Sequence, residues 1–207
     1  MNAEEFVETV RDENETALSR LGSSKSLYAD TEGEMDPETV LAAAATAEHH
    51  AAETYAAWAE SEDGDVAESF AETASEERNH YQTVAGELDG HDPGETPAIQ
   101  SYLRGLEDTV ERLGGFVGRT LAAAQSKTQV TGFFVGNADP RTAELFRSMD
   151  DDLDAQLARA GELLEAECES DDDWDRALSA ACEAIEAAYG EYTERLESMG
   201  VNPKPVC

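Results

Sequence analysis

Basic residues are scarce in this sequence. Lysine and arginine total 14 in 207 residues against 47 aspartates and glutamates, which leaves a formal charge of -33. The lysines are Lys25, Lys127 and Lys204, and every other basic residue is an arginine. A surface so short of cations repels nucleic-acid phosphates and anionic membranes, and this argues against both as partners. Cysteine is nearly missing as well. Cys168, Cys182 and Cys207 are too widely spaced for a C-x-x-C pair and too few for a disulfide framework. Cys168 and Cys182 read as buried small hydrophobes, and Cys207 as an exposed residue of no special role. There is no run of about 18 apolar residues to cross a membrane and no charged-then-apolar leader, so the expected location is cytoplasmic. A phosphate-binding G-x-x-x-x-G-K-[ST] loop and a visible Ser–His–Asp assembly are also lacking.

What is present is mostly Ala, Glu and Leu without β-branched runs, a composition that favours helix throughout. The acid-rich, lysine-poor balance resembles that of cytoplasmic proteins from halophilic archaea. At molar salt the screening length falls to about 3 Å, so the self-repulsion of such a surface largely disappears. Most carboxylates therefore read as a solvated face, and a functional one must be recognised by its position.

The chain divides into helical segments at its breakers. Asn2 to Leu21 reads as a first amphipathic helix ended by Gly22-Ser23-Ser24. Asp36-Pro37, a cap followed by proline at the first helical position, opens a helix A that runs to about Ser61. After the turn Glu62-Asp63-Gly64-Asp65, helix B covers roughly Val66 to Leu88, and the breaker-rich Gly90 to Pro97 forms a crossover. Helix C is expected from Ala98 to about Ser126, Thr131 to Pro140 as a buried turn or half-helix, and helix D from Pro140 to about Cys168. Ser170 to Asp175 then caps a last helix ending near Met199. The expected fold is all-α: a four-helix bundle of two hairpins over residues 36–168, with an added N-terminal helix in 1–35 and a C-terminal helix in 169–207. A faint repeat, AESF at Ala67 to Phe70 and AELF at Ala143 to Phe146, sets the register between the hairpins.

Side-chain placement on the helical wheel singles out three residues. Glu77 falls near the centre of the apolar stripe Val66, Phe70, Tyr81, Val84 and Leu88 of helix B, with His80 at its edge. Glu48 sits in the middle of the stripe Leu41, Ala44, Ala52, Tyr55 and Ala59 of helix A, whereas His49, His50 and Glu53 should face solvent. A carboxylate in a core costs several kcal/mol unless it is paired, protonated or bound to a cation. Glu48, Glu77 and His80 offer oxygen and nitrogen ligands suited to iron, manganese or zinc. The other reading of the same residues is a polar notch or Glu–His pair without an ion.

The series Glu48, Tyr55, Phe70 and E-x-x-H at Glu77 and His80 resembles the first half of the rubrerythrin family, within the ferritin-like superfamily. The resemblance implies a di-iron bundle in which Glu48, Glu77 and His80 are ligands and Tyr55 stands close to the metal. The second half departs from that pattern. In register with Phe146, Leu153 stands where Glu77 does and Gln156 where His80 does, and Asp151 and Asp154 point away from the stripe. The stripe assigned to helix C, from Tyr102 through Leu113 and Val117 to Ala124, carries no carboxylate, and there is no rubredoxin-like pair of C-x-x-C knuckles. What the resemblance implies is thus a half-retained site. It would hold one metal and depend on an external reductant for any peroxide chemistry, or be completed in a homodimer that exchanges helices A and B. The alternative is a metal-free ferritin-like bundle acting as an interaction or regulatory module.

Overall fold

Asp36 starts a helix in the computed structural model, which describes residues 1–203: its side chain accepts hydrogen bonds from the N–H groups of Glu38 and Thr39. That helix, α4 (Pro37–Ser61), turns at Glu62 and Asp63 into α5 (Gly64–Ala85), and the two pack along each other as a hairpin. Before them come α1 (Ala3–Glu13), α2 (Glu15–Leu21) and α3 (Ser24–Asp30). After the irregular stretch 90–97 come α6 (Ala98–Leu103), α7 (Thr109–Gly136), α8 (Pro140–Ser148), α9 (Asp150–Glu167) and α10 (Asp171–Ser198). The regular structure of the described residues is entirely helical. Cys207 lies outside the described residues, and Cys168 and Cys182 are half-buried rather than fully inside.

Several expected helices are divided. The N-terminal segment breaks at Asn14, and the span expected for helix C is two helices separated at 104–108. There Asp108 caps α7 by accepting from the N–H groups of Val110 and Glu111, so a new helix begins where the wheel continued an old one. Thr131 to Gly136 is the last part of α7 rather than a buried turn. The chain then reverses through Ala138, at a φ of 57°, and Asp139 caps α8 on the Thr142 N–H. Helix D breaks at Met149 into α8 and α9.

Helix α7 is the central element, packing against α8 and α9 and along the length of α10. Gly114 and Gly118 explain the last contact. A Cβ on either would run into the backbone carbonyl of Ala177 or Ala181 on α10, so glycine at these two positions lets the backbones close up. With α10 seated on that side, α7 turns Phe116, Arg119, Lys127, Val130 and Phe134 toward its other neighbours, all of them buried.

The apolar interior falls into two clusters. One holds Tyr55, Trp58, Phe70, Phe116, Ala160 and Leu164, with Tyr55 edge-on to Phe116 at 5.0 Å between ring centroids. The other holds Val40, Leu41, Val84, Val130, Phe134 and Phe146. In sequence order along α4, α5, α7 and α9 the same set of polar residues separates them: Glu48, Glu77 with His80, Lys127, and Gln156.

Candidate functional site

The polar layer is built from four helices. Glu48 comes from α4, Glu77 and His80 from α5 one turn apart, Arg119 and Lys127 from α7, and Asp152 and Gln156 from α9. Glu77 is fully buried, and Glu48, His80, Arg119 and Lys127 each expose 5% or less. Glu48, Glu77 and His80, the three residues singled out from the sequence, come together with ligand atoms within 4.8 Å of one another. This buried cluster could hold a metal ion.

Each carboxylate already has a cation of its own. Arg119 donates from Nη1 to Glu77 Oε1 at 2.6 Å and from Nη2 to Glu77 Oε2 at 2.9 Å, a bidentate pair. Lys127 Nζ donates to Glu48 Oε1. Gln156 Nε2 donates to Glu77 Oε1 at 2.9 Å and to Glu76 Oε2 at 3.0 Å. Arg159 holds Glu76 in turn, at 2.7 Å, so α5 and α9 are tied together beside the cluster.

His80 is gripped from both ring nitrogens. Nε2 lies 2.8 Å from Asp152 Oδ2, while Nδ1 faces Glu48 Oε2 at 3.7 Å and Glu77 Oε2 at 3.8 Å. Burial favours the neutral ring, but Glu48 and Glu77 outweigh it and push His80 up to about 10. The residue is therefore an imidazolium at neutral pH, with Nε2 donating to Asp152 and Nδ1 facing Glu48 and Glu77 beyond hydrogen-bond distance. For Glu77, burial alone would raise the pKa, yet the Arg119 guanidinium, with help from His80, holds it well below the usual carboxylate range. Three carboxylates (Glu48, Glu77, Asp152) thus meet three cations (Arg119, Lys127, His80) in one layer. Three polar atoms of the layer are left over: Glu48 Oε2, His80 Nδ1 and Gln156 Oε1 are buried and accept or donate no hydrogen bond.

No protein-family model, curated protein or solved structure matches the chain.

Tyr55 is fully buried with its hydroxyl unpartnered, and the Arg119 guanidinium lies 5.7 Å from its ring centre. Gln156, in the register of His80, is inside the layer, and Leu153, in the register of Glu77, is buried as well. Asp151 and Asp154 are exposed, as their wheel positions imply. The expectation that His49 and His50 face solvent fails for His50, which is buried, and His49 is half-buried. The cause is Arg104 at the end of α6, which lies over this face and donates to the His50 carbonyl at 3.1 Å, Thr54 Oγ1 at 3.0 Å and Glu53 Oε2 at 3.0 Å.

Arg119, Lys127 and Asp152 were not singled out by the sequence reading. For Lys127 the only signal was its rarity: it is one of three lysines in the whole chain, and it falls just past the expected end of helix C. For Arg119 none did, because its burial follows from α10 covering the opposite side of α7.

Proposed function

We propose that the chain is a metal-free, ferritin-like helical bundle that serves as a binding or regulatory module, with a fixed internal ion-pair network where the rubrerythrin resemblance implies a metal centre. The observation that carries this reading is the placement of Arg119 on Glu77 and Lys127 on Glu48. The three donors fit a metal ion by distance but not by charge. At about 4 Å and an effective dielectric near 20, a divalent ion and one such cation repel by roughly 8 kcal/mol, and there are two of them. Binding of a structural zinc ion yields about 10–16 kcal/mol in favourable peptides, so the two repulsions together, roughly 16 kcal/mol, are as large as the whole gain. Removing the His80 proton adds a further cost, since a ligating imidazole must be neutral. Glu48 and Glu77 also find their partners on α7 and α9 of the same chain, so no exchange of helices in a dimer is needed to neutralise them.

One arrangement favours the second reading, a single iron, manganese or zinc held by Glu48, Glu77 and His80. Glu48 Oε2 and His80 Nδ1 are unpartnered and face each other, and Asp152 engages the far nitrogen as a carboxylate does behind a metal-ligating histidine. Metal content decides between the two. Protein purified in molar salt without added metal should hold far less than one ion per chain, and Lys127→Met should take up ferrous or zinc ions that the unaltered chain does not. About one ion per chain in the unaltered protein, lost in Glu77→Ala and His80→Ala, would overturn the metal-free reading.

A further inference from the structure

Between α4 and α7 a cavity of about 480 Å³ opens beside the polar layer. Alanine makes its walls: Ala43, Ala44 and Ala47 on α4, and Ala122 and Ala123 on α7. Leucine at these places would close the cleft as an ordinary bundle core does. As it stands, Ala43, Ala44 and Ala123 are half-buried and Ala47 is exposed, so apolar surface between two helices is open to water. The size lies within the usual range for small-molecule sites.

The crossover at 90–97 borders this cavity. His91 fastens one end, with Nε2 3.1 Å from Thr46 Oγ1 and 3.0 Å from the Ala42 carbonyl. The Ala98 N–H fastens the other by donating to Glu191 Oε2 at 3.0 Å. Asp92, Pro93, Gly94 and Glu95 line the cavity in between, and among the described residues 92–96 makes no hydrogen bond to a helix. A strap tied at its ends leaves a way in that needs no helix to unfold.

Charge decides the class of occupant. Glu48, Arg119 and Lys127 line the cavity where it meets the polar layer, but Arg119 is held by Glu77 and Lys127 by Glu48. A cation entering here is repelled by Arg119 and Lys127, and an anion finds both already engaged. Either charge would give up its hydration for no free partner of opposite sign. The polar groups with capacity left are neutral. Gln100 is 3% exposed and its side chain makes no hydrogen bond; its Oε1 is sealed, so the amide nitrogen is what it offers the cavity. The Ser26 and Ser126 hydroxyls, also in the lining, are unengaged as well.

We infer that this cavity binds a neutral amphiphile of the medium-chain alcohol class, its oxygen accepting from the Gln100 amide nitrogen and its chain lying along the alanine walls. The inference gives the binding module proposed above its ligand, and it rests on the metal-free reading, in which Arg119 and Lys127 stay on their carboxylates.

The test is calorimetric titration of the full chain in molar salt with octanol, octanoate and octylammonium, each kept below its solubility or micelle limit. Molar salt screens the acidic exterior, so the comparison reads the interior. Octanol should bind, and each charged probe should bind at least about tenfold more weakly. Ala47→Phe and Ala123→Phe, which fill the cleft from opposite walls, should each weaken octanol by about tenfold with helical content and melting temperature retained. Gln100→Leu, which removes the donor and keeps the bulk, should weaken it by about fivefold. A charged probe that matches octanol, no octanol binding, or octanol binding unchanged in both filled variants or in Gln100→Leu would overturn the assignment. The two readings fail separately. Stoichiometric metal in the untreated protein removes the metal-free reading whatever octanol does. Protein that ignores octanol and also lacks metal removes the ligand alone.

Discussion

Arg119 and Glu77 face each other through two parallel hydrogen bonds, at 2.6 and 2.9 Å, with Glu77 fully buried and Arg119 only 4% exposed. Burial of both charges is costly, and the pair is worth keeping only while it is complete. Arg119→Met should therefore destabilise the fold by about 3–5 kcal/mol, because it strands Glu77. Arg119→Lys should recover little, since an ammonium cannot span both carboxylate oxygens. The double variant Arg119→Met with Glu77→Met should lie much closer to the parent than either single variant. Urea unfolding of the four proteins in molar salt measures this cycle. Additive single losses would mean that the two residues do not act as a pair.

The same layer sets a dependence on pH with opposite signs at its two ends. His80 is raised from 6.5 to about 10 in the folded chain by its carboxylate neighbours, so its stabilisation is complete below about 6.5 and is lost as pH climbs through 10. Glu77 is held well below 4.5, so its contribution is complete above that value and is lost as pH falls through the folded one. The melting temperature should decline on the alkaline side from neutrality to pH 10, and His80→Gln should flatten that limb while leaving the acid limb in place. An unchanged alkaline slope in His80→Gln would remove His80 as its source.

Glycine in α7 should divide by position. Gly118→Ala places a Cβ against the Ala181 carbonyl and should cost about 1–3 kcal/mol through the displacement of α10. Gly132→Ala, in the same helix with nothing within 4 Å of the added carbon, should instead stabilise by about 0.5–1 kcal/mol. Thermal melting of the two variants checks the contrast, and a loss of stability in both would place the Gly118 effect elsewhere than in the α7–α10 contact.

How much of this was legible in the sequence follows from what each residue's position depends on. Glu48, Glu77 and His80 belong to α4 and α5, whose apolar stripes are regular, and the wheel places them inward as the structure does. The Asp36-Pro37 start of α4 and the Ser170 cap of α10 are local chemistry, and both were readable as such. Helix α7 was not. It is covered on more than one side, so its buried residues do not form one stripe, and the side facing α4 and α5 is fixed by how Gly114 and Gly118 seat it on α10. The rotation that brings in Arg119 and Lys127 is thus a tertiary fact, and the charge balance of the layer could not be counted without it. Asp152 escaped for a simpler reason: half-exposed, it lies beside its helix's stripe and reaches His80 from the edge.

Salt should separate the surface of this chain from its interior. With a formal charge of -33 spread mostly over exposed carboxylates, the folded state repels itself at low ionic strength. The melting temperature should rise as potassium chloride approaches molar concentration and the screening length shrinks from about 10 Å to about 3 Å. The Arg119–Glu77 pair is almost wholly buried, and buried pairs are screened far less than exposed ones, so its coupling energy from the double-variant cycle should change little across the same range. Cycles at low and at molar salt read the two effects independently. A coupling that fades in step with the screening length would place the pair in contact with solvent, and the polar layer would then be an open notch rather than a sealed part of the core.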